Sequence, residues 1–154
     1  MPDLTPAPLE TPPVNGTTGI FRHPWAIWLE ILRQKVRNAS LIEVFFDGLN
    51  DKVFFLANGS YQVVDVREIH SSADSGTPTV DVIKDSNSES PASGSSVLST
   101  PLGLNTVANT SQAGSLTTTV ANQKLVAGDR LSTKFSGTLA TVAGVKLSVR
   151  LKAI

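Results

Sequence analysis

From Gly144 to Ile154 the chain alternates between apolar and polar residues: Val145, Leu147, Val149 and Leu151 fall on one side, Lys146, Ser148, Arg150 and Lys152 on the other. A period of two marks a β-strand with one buried and one wet face, because successive side chains point to opposite sides of a sheet. A core strand is expected here, with no disordered tail after it, and the preceding residues read as the sheet it completes.

Strand and turn signals run back from there to Ser40. Leu41 to Phe46 is an apolar run that ends at Asp47-Gly48. Lys52 to Ala57 and Tyr61 to Ile69 flank Asn58-Gly59, a pair that favours a type I′ hairpin because that turn needs positive φ at both central residues. Thr79 to Ile83 places Val80 and Val82 on one face. Short strands are also expected at Val97-Leu98, Leu116 to Val120, Leu125-Val126, Leu131 to Phe135 and Leu139 to Val142, with Ala127-Gly128-Asp129 as a tight turn before Arg130. The segment Lys84 to Ser96, rich in serine, reads as a surface loop of about a dozen residues, a length that is often functional or mobile. No helix is expected after Asn38. Turn signals every 8–12 residues indicate an antiparallel β-sandwich or jelly roll over residues 40–154.

Two further segments precede that domain. Residues 1–23 carry Pro2, Pro6, Pro8, Pro12 and Pro13, which favour extended backbone and remove amide donors. They read either as a disordered terminus or as an extended arm that docks on a neighbour. Fully extended, such an arm would reach roughly 65–70 Å. Residues 24–39 read as an amphipathic helix opened by Pro24, a residue suited to a first helical turn. Trp25, Trp28, Leu29, Leu32 and Val36 form its apolar stripe. Arg33, Lys35 and Arg37 favour the C-terminal end of the helix dipole. Ile27 and Ile31 lie off the stripe, so the first turns are apolar nearly all round. That excess either packs on the parent domain or is buried in another subunit, where Trp is a common anchor.

Thirteen basic residues balance thirteen acidic ones, so no global field draws the chain to nucleic acid or an anionic membrane. No apolar run approaches the roughly 20 residues of a membrane span. The absence of cysteine excludes disulfides, thiolate metal sites and cysteine nucleophiles. The N-terminus lacks a signal-peptide pattern, so synthesis and retention in a cytosol are expected.

Catalytic signals are missing. His23 and His70 are not in a metal spacing, and a solvated or hydrogen-bonded structural role is expected for each. There is no Gly-x-Ser-x-Gly elbow, P-loop or Rossmann glycine pattern. Asp85-Ser86-Asn87-Ser88-Glu89 places oxygens at alternate positions, but Ser90 and Ser96 stand where an EF-hand needs Gly and Glu. That segment is expected to be solvated. Asp65 and Asp81 sit opposite apolar positions in strand alternation, where exposed polar residues belong. No cofactor or metal is expected, and the chain reads as a non-enzyme.

Four segments occur in an order that resembles the small β-sandwich virion proteins of tailed bacteriophages, of the capsid decoration (cement) or head-fibre kind. They are Ser95-Ser96-Val97-Leu98, Leu104 to Thr110, Leu125-Val126-Ala127-Gly128-Asp129-Arg130-Leu131 and Gly144 to Leu151. The strands Val63 to Val66 and Thr79 to Val82 also fit, so the similarity covers roughly residues 41–154. It implies a noncatalytic role on the capsid surface of a virion assembled in the host cytoplasm. The major capsid protein would be the partner, and a homo-oligomer, with a trimer favoured, would be the working form. Trp25, Trp28, Leu29 and Leu32, with Pro6, Pro8, Pro12 and Pro13 of the arm, are the candidate protein-interface residues. A glycan- or receptor-binding head-fibre module and a neck or tail adaptor are the alternatives. Tyr61 is the only tyrosine and both Trp lie in the helix, which counts against a glycan platform. Phe45, Phe46, Phe54, Phe55 and Phe135 are expected mostly in the core.

Overall fold

The structure, a computed structural model, describes residues 41–154 together with Trp28, Leu29, Ile31 and Leu32. The chain divides into two compact units, Met1–Ser40 and Leu41–Ile154. In the first, Trp28, Leu29, Ile31 and Leu32 are helical. The expected arm, and the rest of the expected helix, lie outside the described residues.

The second unit is mainly β. Its elements are β1 (Leu41–Asp47), β2 (Val53–Leu56), β3 (Tyr61–Ile69), β4 (Thr79–Asp85), β5 (Ser95–Ser96), β6 (Leu102–Gly103), β7 (Gln112–Ala113), α1 (Val120–Gln123), β8 (Lys124–Leu125), β9 (Arg130–Ser136) and β10 (Lys146–Ala153). They form two five-stranded sheets. The first runs β1-β10-β3-β7 with β8 also on β3, and the second runs β2-β9-β4-β5 with β6 also on β4. Every pairing is antiparallel, as a sandwich of this kind requires.

The alternating C-terminal strand lies in the interior of the first sheet. β10 pairs with β1 through Val44↔Val149 and with β3 through Val149↔Val66. Leu147, Val149 and Leu151 are fully buried, while Lys146, Arg150 and Lys152 are exposed. The inward set joins Phe46, Val63 and Val66 of the same sheet with Val80, Val82 and Leu131 of the other in one apolar cluster. Burying each such side chain contributes about 1.5–3 kcal/mol. Val63 and Val66 both face inward although three positions apart. A bulge reconciles them: Leu151 pairs with Val63 and Arg150 with Asp65, so Val64 is the extra residue and turns outward.

Four local expectations are corrected. Asn58-Gly59 is not a hairpin turn, because β2 belongs to the second sheet and β3 to the first. Neither residue has positive φ. Ala57 is instead tied to the 126–129 turn, donating to Asp129 O at 2.8 Å and accepting from Gly128 N at 2.9 Å, so the chain crosses between layers at this point. Leu116 to Val120 is not a strand. Leu116 makes only an isolated bridge to Leu98, and Thr117 Oγ1 accepts from Thr119 N, a local bond that competes with a ladder. The single helical turn α1 follows at Val120, where no helix was expected. Leu139 to Val142 is not a strand either, since Thr141 N and Oγ1 both donate to Asp74 Oδ2, at 3.1 and 2.9 Å. The turn at Ala127-Gly128-Asp129 is present, with Gly128 at φ +95° and Val126 N donating to Asp129 Oδ2 at 3.0 Å.

Candidate functional site

The expected interface residues are only partly described. Trp28, Leu29 and Leu32, on the apolar stripe, are half-buried, whereas Ile31, off it, is 46% exposed. Trp25, Pro6, Pro8, Pro12 and Pro13 lie outside the described residues, as does His23.

In the second unit, β1 supplies an apolar surface. It pairs with β10 along one side, and no strand among the described residues pairs along the other. Leu41 is 51% exposed and Phe45 68% exposed. Phe45 pairs with Ser148, and that register places it on the wet face with Glu43 and Asp47. It is therefore a surface residue and not a core one. Its neighbour Phe46 takes the inward position, its ring 5.9 Å from Phe54 and 6.0 Å from Phe135.

The polar groups of the sandwich cluster at two places. On the outer face of the second sheet, the serine-rich segment folds back over β4. Asp85 is completely buried. Its Oδ1 accepts from Ser93 N at 3.2 Å and Gly94 N at 3.0 Å, and its Oδ2 from Ala92 N at 3.2 Å and from the Ser132 hydroxyl. Gly94 lies so close to β4 that a Cβ there would stand 2.1 Å from Lys84 O. The segment is a surface loop, exposed from Ser86 to Pro91, but it is pinned down at residues 92–94, and Asp85, expected in solvent, is buried. Asp85 is spent on backbone amides, and Glu89 accepts from Ser86 N, so the alternate oxygens of this segment serve the chain itself. Among the described residues, no group of three or more His, Cys, Asp or Glu could hold a metal ion.

Beside this segment lies a surface pocket of about 370 Å³ that includes Asp81. The cover over β4 corrects the expectation that Asp81 is exposed: it retains 9% exposure. Burial pushes its carboxyl above the usual range, against the opposing hydrogen bonds from Ser96 and Val82 and the charge of Lys134. A raised folded-state value means the native protein binds the proton more readily than the unfolded chain. Stability should therefore increase as pH falls through the folded value toward 3.8. Asp81→Asn should abolish that increase while keeping an acceptor for Val82 N. Urea titrations at stepped pH would reveal it, and an unchanged pH profile in the variant would refute the assignment to Asp81.

The second polar cluster is buried at the end of β3. Glu68 and His70 have fully buried side chains, with Glu68 Oε1 3.0 Å from His70 Nδ1. His70 Nε2 lies 3.2 Å from Thr106 O. A carbonyl only accepts, so Nε2 carries a proton. Gln112 Nε2 donates to Glu68 Oε2 at 2.6 Å and to Gly103 O at 2.8 Å. Burial raises the Glu68 carboxyl, opposed by His70 and Gln112. The group closes a buried plug that ties residues 103–112 to the sheet, so His70 has a hydrogen-bonded structural role. Sequence spacing did not reveal its partner, although Glu68 and His70 share a strand face two residues apart.

No protein-family model and no curated protein matches this chain. Among the described residues, no helix is long and apolar enough to cross a membrane.

Proposed function

We propose that this chain is a noncatalytic structural protein of a virion, one that decorates a bacteriophage capsid and stabilises it by bridging major capsid subunits. In this reading it acts as a homo-oligomer, with a trimer favoured. The order of the four segments that resemble decoration proteins motivates the reading, and the edge of β1, which no strand pairs among the described residues, carries it. An open strand edge is a template for pairing with another chain, and proteins that stay apart usually blunt it with Lys, Pro or a bulge. β1 has no Lys, Pro or bulge, and its outer face carries Leu41 and Phe45 beside Glu43 and Asp47. The buried polar groups support the same reading, since Asp85, Glu68 and His70 are all spent on fastening loops to the sheets.

The Trp-bearing segment immediately precedes β1 in the chain and supplies the anchors. Truncating an interface Trp commonly costs at least 2 kcal/mol, and each 1.4 kcal/mol is tenfold in affinity. A full-length Trp25→Ala/Trp28→Ala variant should therefore bind purified capsids at least ~100-fold more weakly. Its far-UV circular dichroism should retain the β signature, and light scattering behind a sizing column should show a smaller particle than the parent chain. Undiminished capsid occupancy in the double variant would remove the proposal.

A further inference from the structure

The pocket on the outer face of the second sheet has a donor and an acceptor that do not satisfy each other. Asp81 and Lys134 are direct cross-strand partners on β4 and β9, yet among the described residues no ion pair of 4.0 Å or less joins them. The carboxylate is held rigidly, with Oδ1 accepting from Val82 N at 2.8 Å and from Ser96 Oγ at 2.8 Å. Those bonds leave Oδ2 out. Ile83 and Pro101 add apolar surface to the same pocket, and Ser136 adds a hydroxyl.

We propose that this pocket binds a single neutral, pyranose-sized polyol. A ligand hydroxyl can donate to Asp81 and accept from Lys134 at the same time. An anionic ligand would meet the Asp81 carboxylate, and a cationic one would meet the Lys134 ammonium, so each is disfavoured by one wall. The C–H face of a sugar ring suits the exposed Pro101, with the buried Ile83 behind it. The volume, about 370 Å³, is at the lower end of the range of small-molecule sites, which fits one ring better than a chain of them. Gly94 at its wall packs directly on β4, with no room for a side chain between it and Lys84 O. This inference stands apart from the capsid reading and survives its failure.

The test is an amide chemical-shift titration of the full-length protein with free D-glucose, D-galactose, D-mannose and N-acetyl-D-glucosamine, each taken to about 50 mM. That ceiling suits the millimolar affinity expected of so small and open a site. Sodium acetate and methylammonium chloride serve as charged probes. Saturable shifts at Val82, Ser96 and Ser136 with at least one sugar are expected. Lys134 is exposed, so Lys134→Met should fold normally, and it should weaken the response at least tenfold. No saturable shift with any of the four sugars would overturn the proposal. So would equal shifts in the Lys134→Met protein, or saturation by a charged probe alone.

Discussion

Asp85→Ala is expected to destabilise the sandwich by about 2–5 kcal/mol, a large share of the stability of a domain this size. The carboxylate is fully buried and accepts from the amides of Ala92, Ser93 and Gly94 and from the Ser132 hydroxyl. Removing it strands those donors, and a buried donor left unsatisfied costs about 1–3 kcal/mol. Ala92 N retains a second acceptor, Ser132 Oγ at 2.9 Å, and Ser93 N retains Ser90 O at 3.2 Å, so the loss falls mainly on Gly94 N and the hydroxyl. The effect should be local before it is global. Urea unfolding gives the total, and hydrogen exchange should show residues 92–94 losing protection ahead of β9 and β10. Asp85→Asn keeps one acceptor oxygen and should fall between the parent and the alanine variant. A loss below about 1 kcal/mol for Asp85→Ala, the worth of one ordinary hydrogen bond, would show that the segment is held by something else.

That segment also shows where sequence reading stops. Leu147, Val149 and Leu151 declared their inward face through alternation alone, because β10 has a covered face and an open one. β4 has no such contrast. Val82, Ile83 and Asp85 are all buried, since the sandwich covers one face and the folded-back segment covers the other. Alternation assigns Asp81 to solvent and the serine-rich composition assigns Asp85 to a solvated loop, and nothing local announces that Ser96 will return to meet the one and residues 92–94 the other. The same limit applies at Asn58-Gly59. A type I′ preference is a property of two residues, but crossing between sheets is decided by Ala57 bonding to the 126–129 turn, some 70 positions away. Thr117 and Thr141 mislead in the opposite sense. Their β-branched shape suits a strand, while their local bonds take the backbone elsewhere. Phe45 and Phe46 were indistinguishable by composition, and only the pairing of Phe45 with Ser148 makes one a surface residue. The candidate interface residues Trp28, Leu29 and Leu32 were legible as an apolar stripe, whereas the Asp81–Lys134 pocket needed the register of two strands that are distant in sequence.

Glu68→Ala is expected to cost about 3–5 kcal/mol, the usual penalty for removing one partner of a buried ionisable pair. It leaves buried His70 Nδ1 with nothing to bond and reduces Gln112 Nε2 to its bond with Gly103 O. The proton arrangement makes the two residues act as a unit. Because Nε2–H is committed to Thr106 O, Nδ1 either accepts from a protonated Glu68 or donates to an ionised one. In both states one proton lies between them and the pair as a whole is neutral. Burial raises the Glu68 carboxyl, which favours holding that proton over exposing a lone charge. Replacing both residues with leucine removes donor and acceptor together, so the double variant should be less destabilised than the sum of the single ones. A double-mutant cycle should give a coupling of about 1–3 kcal/mol. Exchange at Asn109, whose amide donates to His70 O at 2.7 Å, would report whether residues 103–112 loosen with the pair. Strict additivity, with Asn109 protection unchanged in every variant, would mean that Glu68 and His70 are buried side by side without holding that segment.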